Sequence, residues 1–414
     1  MKNLLILGAG TAGTMMANHL VSKLPKKEWQ ITIVDQNKTH YYQPGFLFLP
    51  FDIYTEDQVK KDGKEFIPKN VNYIQEGIEL IRPESNAVDL KNGKVLSYDV
   101  MIIATGSKIA PEEIEGMDGP NWHKDIFDFY TYEGAIALRD KLREWEGGKL
   151  VVHVTEMPIK CPVAPLEFAF LADSYFRNKG MRDKVDITYV TPLGGAFTTP
   201  RAAKSFDHLL EEKGIKEVTD FNIERVDYEN NKIIDYADEE VPYDLLVTVP
   251  TNMGDDLIER SGMGDDLNFI PTDKGTLQSK EYENVFVIGD ATNVPTSKAG
   301  SVAHFEAEIL TENIVRYVNG EAFEEEFDGH ANCFVETGNG KALLIDFNYD
   351  HEPVEGTFPL PGIGPLRLLK ESRTNHMGKM AFKWVYWNML LKGRPIPFVS
   401  AAMNEKGKKF EKVS

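Results

Sequence analysis

The chain of 414 residues has two cysteines, Cys161 and Cys333. Two thiols cannot form a disulfide framework, so they are either unrelated buried side chains or one redox pair. A second group of residues has more specific spacing. Gly8-Ala9-Gly10-Thr11-Ala12-Gly13 fits the pattern G-x-G-x-x-G. In that pattern Gly8 closes a tight turn, Gly10 admits a pyrophosphate against the backbone, and Gly13 lets helix and strand pack closely. The first helical turn then offers unpaired N–H groups to the phosphate. Asp35 ends the next expected strand, where an acid holds ribose hydroxyls. The pattern carries meaning only when a strand precedes it and a helix follows.

Those elements are legible. The apolar run 4–7 enters the glycine turn, 11–24 has helical length and stops at Pro25, and 29–34 alternates with β-branched residues. This is one βαβ unit. Further strands are expected at 99–104, 244–249 and 285–288, with a helix from about residue 299. A second βαβ unit spans a strand at 150–154, a helix near 165–178 and a strand at 185–190. Alternation of this kind predicts an α/β protein with two doubly wound, dinucleotide-binding-like domains. The expected division is 1–110 with 240–320 as a discontinuous cofactor domain, 111–239 as the second, and 321–414 as a C-terminal region. The acidic run 321–326 reads as a linker.

Composition narrows the function. Hydrophobic residues make up 42% and charged residues 27%, ordinary for a core-forming soluble protein. A net charge of −19 argues against nucleic acid as a partner. The apolar run after Lys2 is too short for a signal peptide, and no run approaches the ~20 residues of a spanning helix. The expected location is the cytoplasmic side of the cell membrane, as a peripheral protein. Homo-oligomer formation is left open.

Two more segments identify the cofactor. Ala104-Thr105-Gly106 and Val287-Ile288-Gly289-Asp290-Ala291-Thr292 resemble short motifs of the glutathione-reductase-like flavoprotein superfamily. The resemblance implies FAD, flanked by Ala104, Thr105, Gly106 and Gly289, with Asp290 on the ribityl chain. The helix after Ala299 would point its positive end at the flavin, and Lys298 would add its charge. In that superfamily the second unit binds NAD(P)H through its own glycine triplet. Here the equivalent turn, His153-Val154-Thr155-Glu156-Met157-Pro158-Ile159-Lys160-Cys161-Pro162, has no glycine. Nicotinamide binding is not expected there.

Lys160-Cys161-Pro162-Val163-Ala164-Pro165-Leu166-Glu167, Ser297-Lys298-Ala299-Gly300 and Asn332-Cys333-Phe334 resemble the redox-cysteine regions of sulfide:quinone oxidoreductases. That resemblance implies FAD-dependent oxidation of sulfide to sulfane sulfur or polysulfide, with electrons passed to a membrane quinone. It also implies that Cys161 and Cys333 form the bridge that hydrosulfide opens, and that Cys333 hands the electrons to the flavin. Lys160 is a nearby cation that would lower a thiol pKa. Glu167 occupies a position at which some relatives carry an acid proposed to move protons. Many relatives have a third cysteine and this chain has none, so its FAD is expected to be non-covalent. Other readings are a single-subunit NADH:quinone reductase, the flavoprotein subunit of a sulfide dehydrogenase, and a non-catalytic flavin-binding sulfur sensor.

Between positions 366 and 394 the chain turns basic: Arg367, Lys370, Arg373, Lys379, Lys383, Lys392 and Arg394 face a single acid, Glu371. Trp384, Trp387 and other large apolar residues are interleaved. A basic, aromatic stretch too short to span reads as an interfacial membrane anchor. Within an expected helix at 376–391, Phe382 and Tyr386 are four apart on one face. By resemblance these two flank the quinone ring, with Lys379 and Lys383 facing anionic headgroups.

Overall fold

The computed structural model describes residues 1–324 and 326–410. Two five-stranded parallel sheets form its centre. In the first, the strands run Val285–Val287, Val100–Ile103, Lys2–Leu7, Trp29–Asp35, Asn72–Gln75, all parallel. In the second they run Ile126–Phe127, Leu245–Val249, Gly148–Val154, Val185–Val190, Lys216–Val218, again all parallel. Leu4 to Leu7 and Leu245 to Val249 are wholly buried, as expected of parallel strands covered on both faces. The α/β, doubly wound class read from the sequence holds.

One boundary is corrected. The strand Leu245–Val249 was expected in the cofactor domain, which was to resume at 240. It pairs instead with Gly148–Val154, Leu150 opposite Leu245, so the second unit extends to Val249. The chain crosses back just afterwards, where Thr251–Gly254 pairs antiparallel with Ser107–Ala110. Periodicity identified the strand, but pairing is a long-range choice that a buried apolar run does not encode.

The glycine turn follows from local sterics. Gly8 sits at φ +97°, and a Cβ there would strike the Ala104 carbonyl. A Cβ on Gly13 would collide with the Gly8 carbonyl oxygen. The helix Thr11–Lys23 then buries Met15, Met16 and Leu20 against the sheet. It ends as Leu24 turns extended ahead of Pro25.

Beyond the helix Gly300–Asn319 come two hairpins, Ala331–Gly338 with Lys341–Phe347 and Gly356–Leu360 with Gly364–Leu368. The helix Arg373–Asn388 follows. In the acidic run 321–326, Glu325 lies outside the described residues and its neighbours form neither helix nor strand. No helix among the described residues is long and apolar enough to cross a membrane.

The Gly13 contact is with backbone, which cannot give way. Gly13→Ala is therefore expected to cost several kcal/mol, at or above the usual ~1–3 for overpacking. A drop in unfolding temperature together with a fall in bound FAD per chain would show it. An unchanged FAD ratio would contradict the packing described.

Candidate active site

The two units enclose one cavity of about 800 Å³. Its wall includes Gly8, Gly10, Asp35, Ala104, Thr105, Gly106, Gly289, Asp290 and Lys298. It also includes Cys161, Cys333, Glu167, Phe382 and Tyr386. Gly13 is the exception among the expected residues. It packs against Gly8 and does not line the space.

The chemistry of the wall fits a dinucleotide. A Cβ built on Gly10 or Gly106 meets nothing within 4 Å, so backbone is exposed to the cavity at both places. The helix Thr11–Lys23 has no side-chain cap and no acid in its first turn, which leaves its amides for an anion. The helix Gly300–Asn319 is likewise uncapped, with Ala299, Gly300 and Ser301 on the cavity wall. Asp35 accepts the Ala9 and Asn37 amides, both at 2.7 Å. Those two bonds fix its carboxylate where the ribose would lie, and burial holds its pKa above the ordinary range despite them. FAD would be held by these groups, and when bound it would supply two-electron chemistry.

Lys298 lines the cavity and is also held by backbone carbonyls. Its ammonium donates to the carbonyls of Thr292 at 2.5 Å and Asp290 at 3.1 Å and lies 4.1 Å from the Phe269 ring centroid. Burial lowers its pKa. Two of its three donors thus pin the Asp290–Thr292 turn, so Lys298 positions Asp290 rather than presenting a free charge. Glu306, which sequence reasoning missed, works beside it by accepting the Gly289 amide at 2.7 Å.

The turn that lacks glycine has become a bridge. The Lys160 amide donates to Asn252 Oδ1 at 3.0 Å, and the Cys161 amide to the Lys298 carbonyl at 2.8 Å. The Cys161 carbonyl accepts from Tyr130 Oη at 3.2 Å and from the Ala164 amide at 2.9 Å. These contacts hold Cys161 at φ 51°, a left-handed conformation that non-glycine residues seldom adopt. Cys333 comes from the strand Ala331–Gly338. Both are thiols here; Glu167 raises the pKa of each, and Cys333 adds to the rise at Cys161. Burial is the main cause, pushing Cys333 up to about 12 and Cys161 higher. Lys379 is the cation that opposes burial at both sulfurs, while Lys160, expected from the sequence, interacts with Cys161.

Lys379 is the largest departure from the sequence reading. It was expected to face lipid headgroups. It points inward, pairs with Glu167, and donates to the Phe334 carbonyl at 3.0 Å. Glu167 is 1% exposed, so it is not a solvated helix-face acid. Its Oε1 also accepts the Glu336 amide at 2.7 Å. Burial raises Glu167 to about 7, with Lys379 opposing.

Phe382 and Tyr386 both line the cavity but differ in kind. Phe382 is half-buried. Tyr386 is fully buried. Its hydroxyl lies 2.7 Å from both His40 Nε2 and Thr11 Oγ1. Burial takes His40 down to about 4, so its ring is neutral. Nδ1 donates to the Ala9 carbonyl at 3.2 Å, Nε2 accepts from Tyr386, and Thr11 then donates to the Tyr386 oxygen. Tyr386 thus ties the C-terminal helix to the glycine turn. The signal for it was weak, since a single histidine after the second strand is unremarkable in sequence.

Two wound sheets, a bare glycine turn and a cysteine pair on one cavity define a two-dinucleotide-fold, flavin-dependent oxidoreductase. Residues 2–307 match the family described as pyridine nucleotide-disulphide oxidoreductase, and the chain belongs to it. The chain is 28% identical over 397 residues to the mitochondrial sulfide:quinone oxidoreductase of Dictyostelium discoideum, covering 94% of this chain and 86% of that one. It is 28% identical over 396 residues to the Mus musculus protein of the same name, with 94% and 86% covered. Among solved structures it resembles the sulfide:quinone oxidoreductase from the hyperthermophilic bacterium Aquifex aeolicus in fold. The TM-score is 0.80 at 22% identity, over 95% of this chain and 92% of that one. The resemblance read from the cysteine-bearing segments is thus borne out over nearly the whole chain.

Two outcomes follow from this wall. Tyr386→Phe removes the hydroxyl between His40 and Thr11. It should cost about 1–3 kcal/mol through unmet buried polar groups and speed FAD loss on dilution. Phe382→Ala should leave FAD retention unchanged, and equal loss in both would contradict the division of roles.

Glu306 gives a pH signature. Burial raises it to about 7, outweighing the Gly289 amide and Lys298, whereas an unfolded glutamate titrates near ~4.3. The folded state therefore holds the extra proton between these values, and stability falls as pH rises through that window. Glu306→Gln should remove up to about 4 kcal/mol of that pH dependence. The gain in unfolding temperature over the parent should be larger at pH ~8 than at pH ~5. An equal gain at both would show that Glu306 is not the titrating group.

Proposed function

We propose that the chain is a sulfide:quinone oxidoreductase, in which sulfide reduces FAD through Cys161 and Cys333 and the flavin reduces a quinone. One observation carries this reading. The turn that would hold a nicotinamide cofactor instead delivers Cys161 to the cavity of the glycine turn, where Cys333 also lies. Hydrosulfide adds to one sulfur of the oxidised pair, giving a persulfide on one cysteine and a thiolate on the other. Cys333 would give up two electrons to bound FAD as its sulfur bonds to the outer sulfur of the persulfide and that sulfur loses its proton, so the added sulfur stays in the bridge at the zero-valent level. The quinone takes up the two electrons and two protons. Burial keeps both thiols protonated, so a nearby base must take their protons. Glu167, raised to about 7, suits that task near neutral pH.

FAD is held without a covalent bond, since both cysteines are assigned to the redox pair. The quinone ring lies against Phe382, with Phe334, Phe358 and Leu366 completing an apolar wall. The enzyme docks peripherally on a membrane. The elements that line this part of the cavity also expose large apolar side chains: Ile363 at 76%, Trp384 at 62% and Phe398 at 76%. Lys383, next to Trp384 in the chain and 3.8 Å from the Tyr54 ring centroid, is the cation beside them. Together they suit an interface of acyl chains and anionic headgroups.

Anaerobic mixing with sulfide should bleach the flavin absorption, and a short-tailed quinone should restore it. Cys161→Ser and Cys333→Ser should keep FAD yet lose bleaching by about 10³-fold or more, as expected for loss of a nucleophile. Phe382→Ala should bleach normally and reoxidise slowly. Rapid bleaching by NADH, or parental bleaching in either serine variant, would reject the proposal.

A further inference from the structure

Four ionisable side chains form a buried cluster that leads from the cysteines toward solvent. Glu167 is paired with Lys379 at the cavity wall. The Glu336 amide donates to Glu167 Oε1 at 2.7 Å, and both carboxylates are almost wholly buried. His376 Nδ1 lies 2.9 and 3.0 Å from the two Glu336 oxygens. Its side chain is 29% exposed, so the series ends in water. Three separate elements supply these groups: the helix Ala164–Asn178, the strand Ala331–Gly338 and the helix Arg373–Asn388.

A structural ion-pair cluster needs balanced charge and no outlet. This one places two acids against one lysine and ends at a solvent-reached imidazole. The other groups facing it are Cys161 and Cys333 on the inner side, with Tyr42 and Tyr130, and Tyr54 beside Glu336. Among the described residues, none of these carries a hydrogen bond on to the surface. Burial raises Glu336 as it raises Glu167, while Lys379 and His376 pull it back. Burial works against the Lys379 charge, but Glu167, Cys161 and Glu336 outweigh it. Both acids can therefore change protonation while Lys379 stays charged and holds the pair in place.

We propose that Glu167, Glu336 and His376 form the exit path for the proton released when sulfide enters the cysteine site. This rests on the function proposed above. Oxidation of hydrogen sulfide to the zero-valent level releases two protons with its two electrons; reduction of FAD would take up one, and the other must leave. A proton given up by the thiol or hydrosulfide is taken by the Glu167 carboxylate. It passes to Glu336 across one water or a small swing of the side chain, then to His376 Nδ1, and leaves from the imidazole. Each acid returns to its starting state, so no net charge stays buried.

The test uses the FAD-loaded full chain, sodium sulfide without quinone, and a pH-indicator dye in weak buffer. His376→Ala and Glu336→Gln are expected to slow both sulfide-driven bleaching and proton appearance by about tenfold or more, the lower range for a lost proton-transfer group. Reoxidation of dithionite-reduced flavin by a short-tailed quinone should keep its parental rate. Added free imidazole should return His376→Ala to within about twofold of the parent. His376→Gln, at a partly exposed position, serves where the alanine variant is unstable. Bleaching and proton release within about twofold of the parent in both positions would overturn the path, as would loss that imidazole cannot rescue. A parent enzyme that sulfide never bleaches is a different result: it rejects the proposed function, and the path with it.

Discussion

The amide of Cys161 donating to the Lys298 carbonyl at 2.8 Å joins the two units at the point where chemistry must occur. Everything around it serves that crossing. Asn252 holds the preceding amide, Tyr130 and Ala164 hold the Cys161 carbonyl, and Lys298 is fixed by its grip on the Asp290–Thr292 turn. A glycine-rich turn at 155–162 would have hugged a phosphate of its own. With prolines and β-branched residues there, the chain cannot approach a pyrophosphate, and its backbone groups are free to reach across. Under the function proposed above, loss of one ligand site and gain of a sulfur site are one structural change.

The same crossing sets the electrostatics. Once Cys161 is carried into the space between the units, both thiols leave water, and burial raises their pKa values. Lys379 answers this from the C-terminal helix, and Glu167 and Glu336 accompany it. A lone lysine would be costly to bury, and a lone acid more so. The cluster is tolerable because each charge has a partner, and it is useful because the acids outnumber the lysine.

What the sequence disclosed was local. Gly8, Gly10 and Gly13 with Asp35 are readable because backbone sterics and a single βαβ unit dictate them. The strand 185–190 is readable because its β-branched residues alternate, Val185 and Ile187 buried with Asp186 exposed between them. Which sheet Leu245–Val249 joins is not local, and its boundary was misplaced by that much. Lys298 was read by its position before a helix, but a side chain four carbons long bends back to whatever carbonyls it finds. Glu306 and Glu336 were overlooked although Glu306 sits between Phe305 and Ala307 and Glu336 directly follows Phe334 and Val335. An acid in such a run deserves to be read as a buried group until shown otherwise.

The C-terminal segment carries the sharpest lesson about charge. Seven cations among aromatic residues suggested one membrane-facing surface, since composition has no direction. A helix has two sides, and here they do different work. Met377 and Trp384 are exposed on one, while Lys379, Tyr386 and Trp387 turn inward on the other. The inward side is fastened to the glycine turn through Tyr386 and to the cysteine site through Lys379. If a membrane holds the outward side, docking and the geometry of the cofactor cavity are carried by one rigid element. A helix loosened from the bilayer would then disturb the cavity through two fixed contacts, the Tyr386 hydroxyl and the Lys379–Glu167 pair, and no further moving part is required.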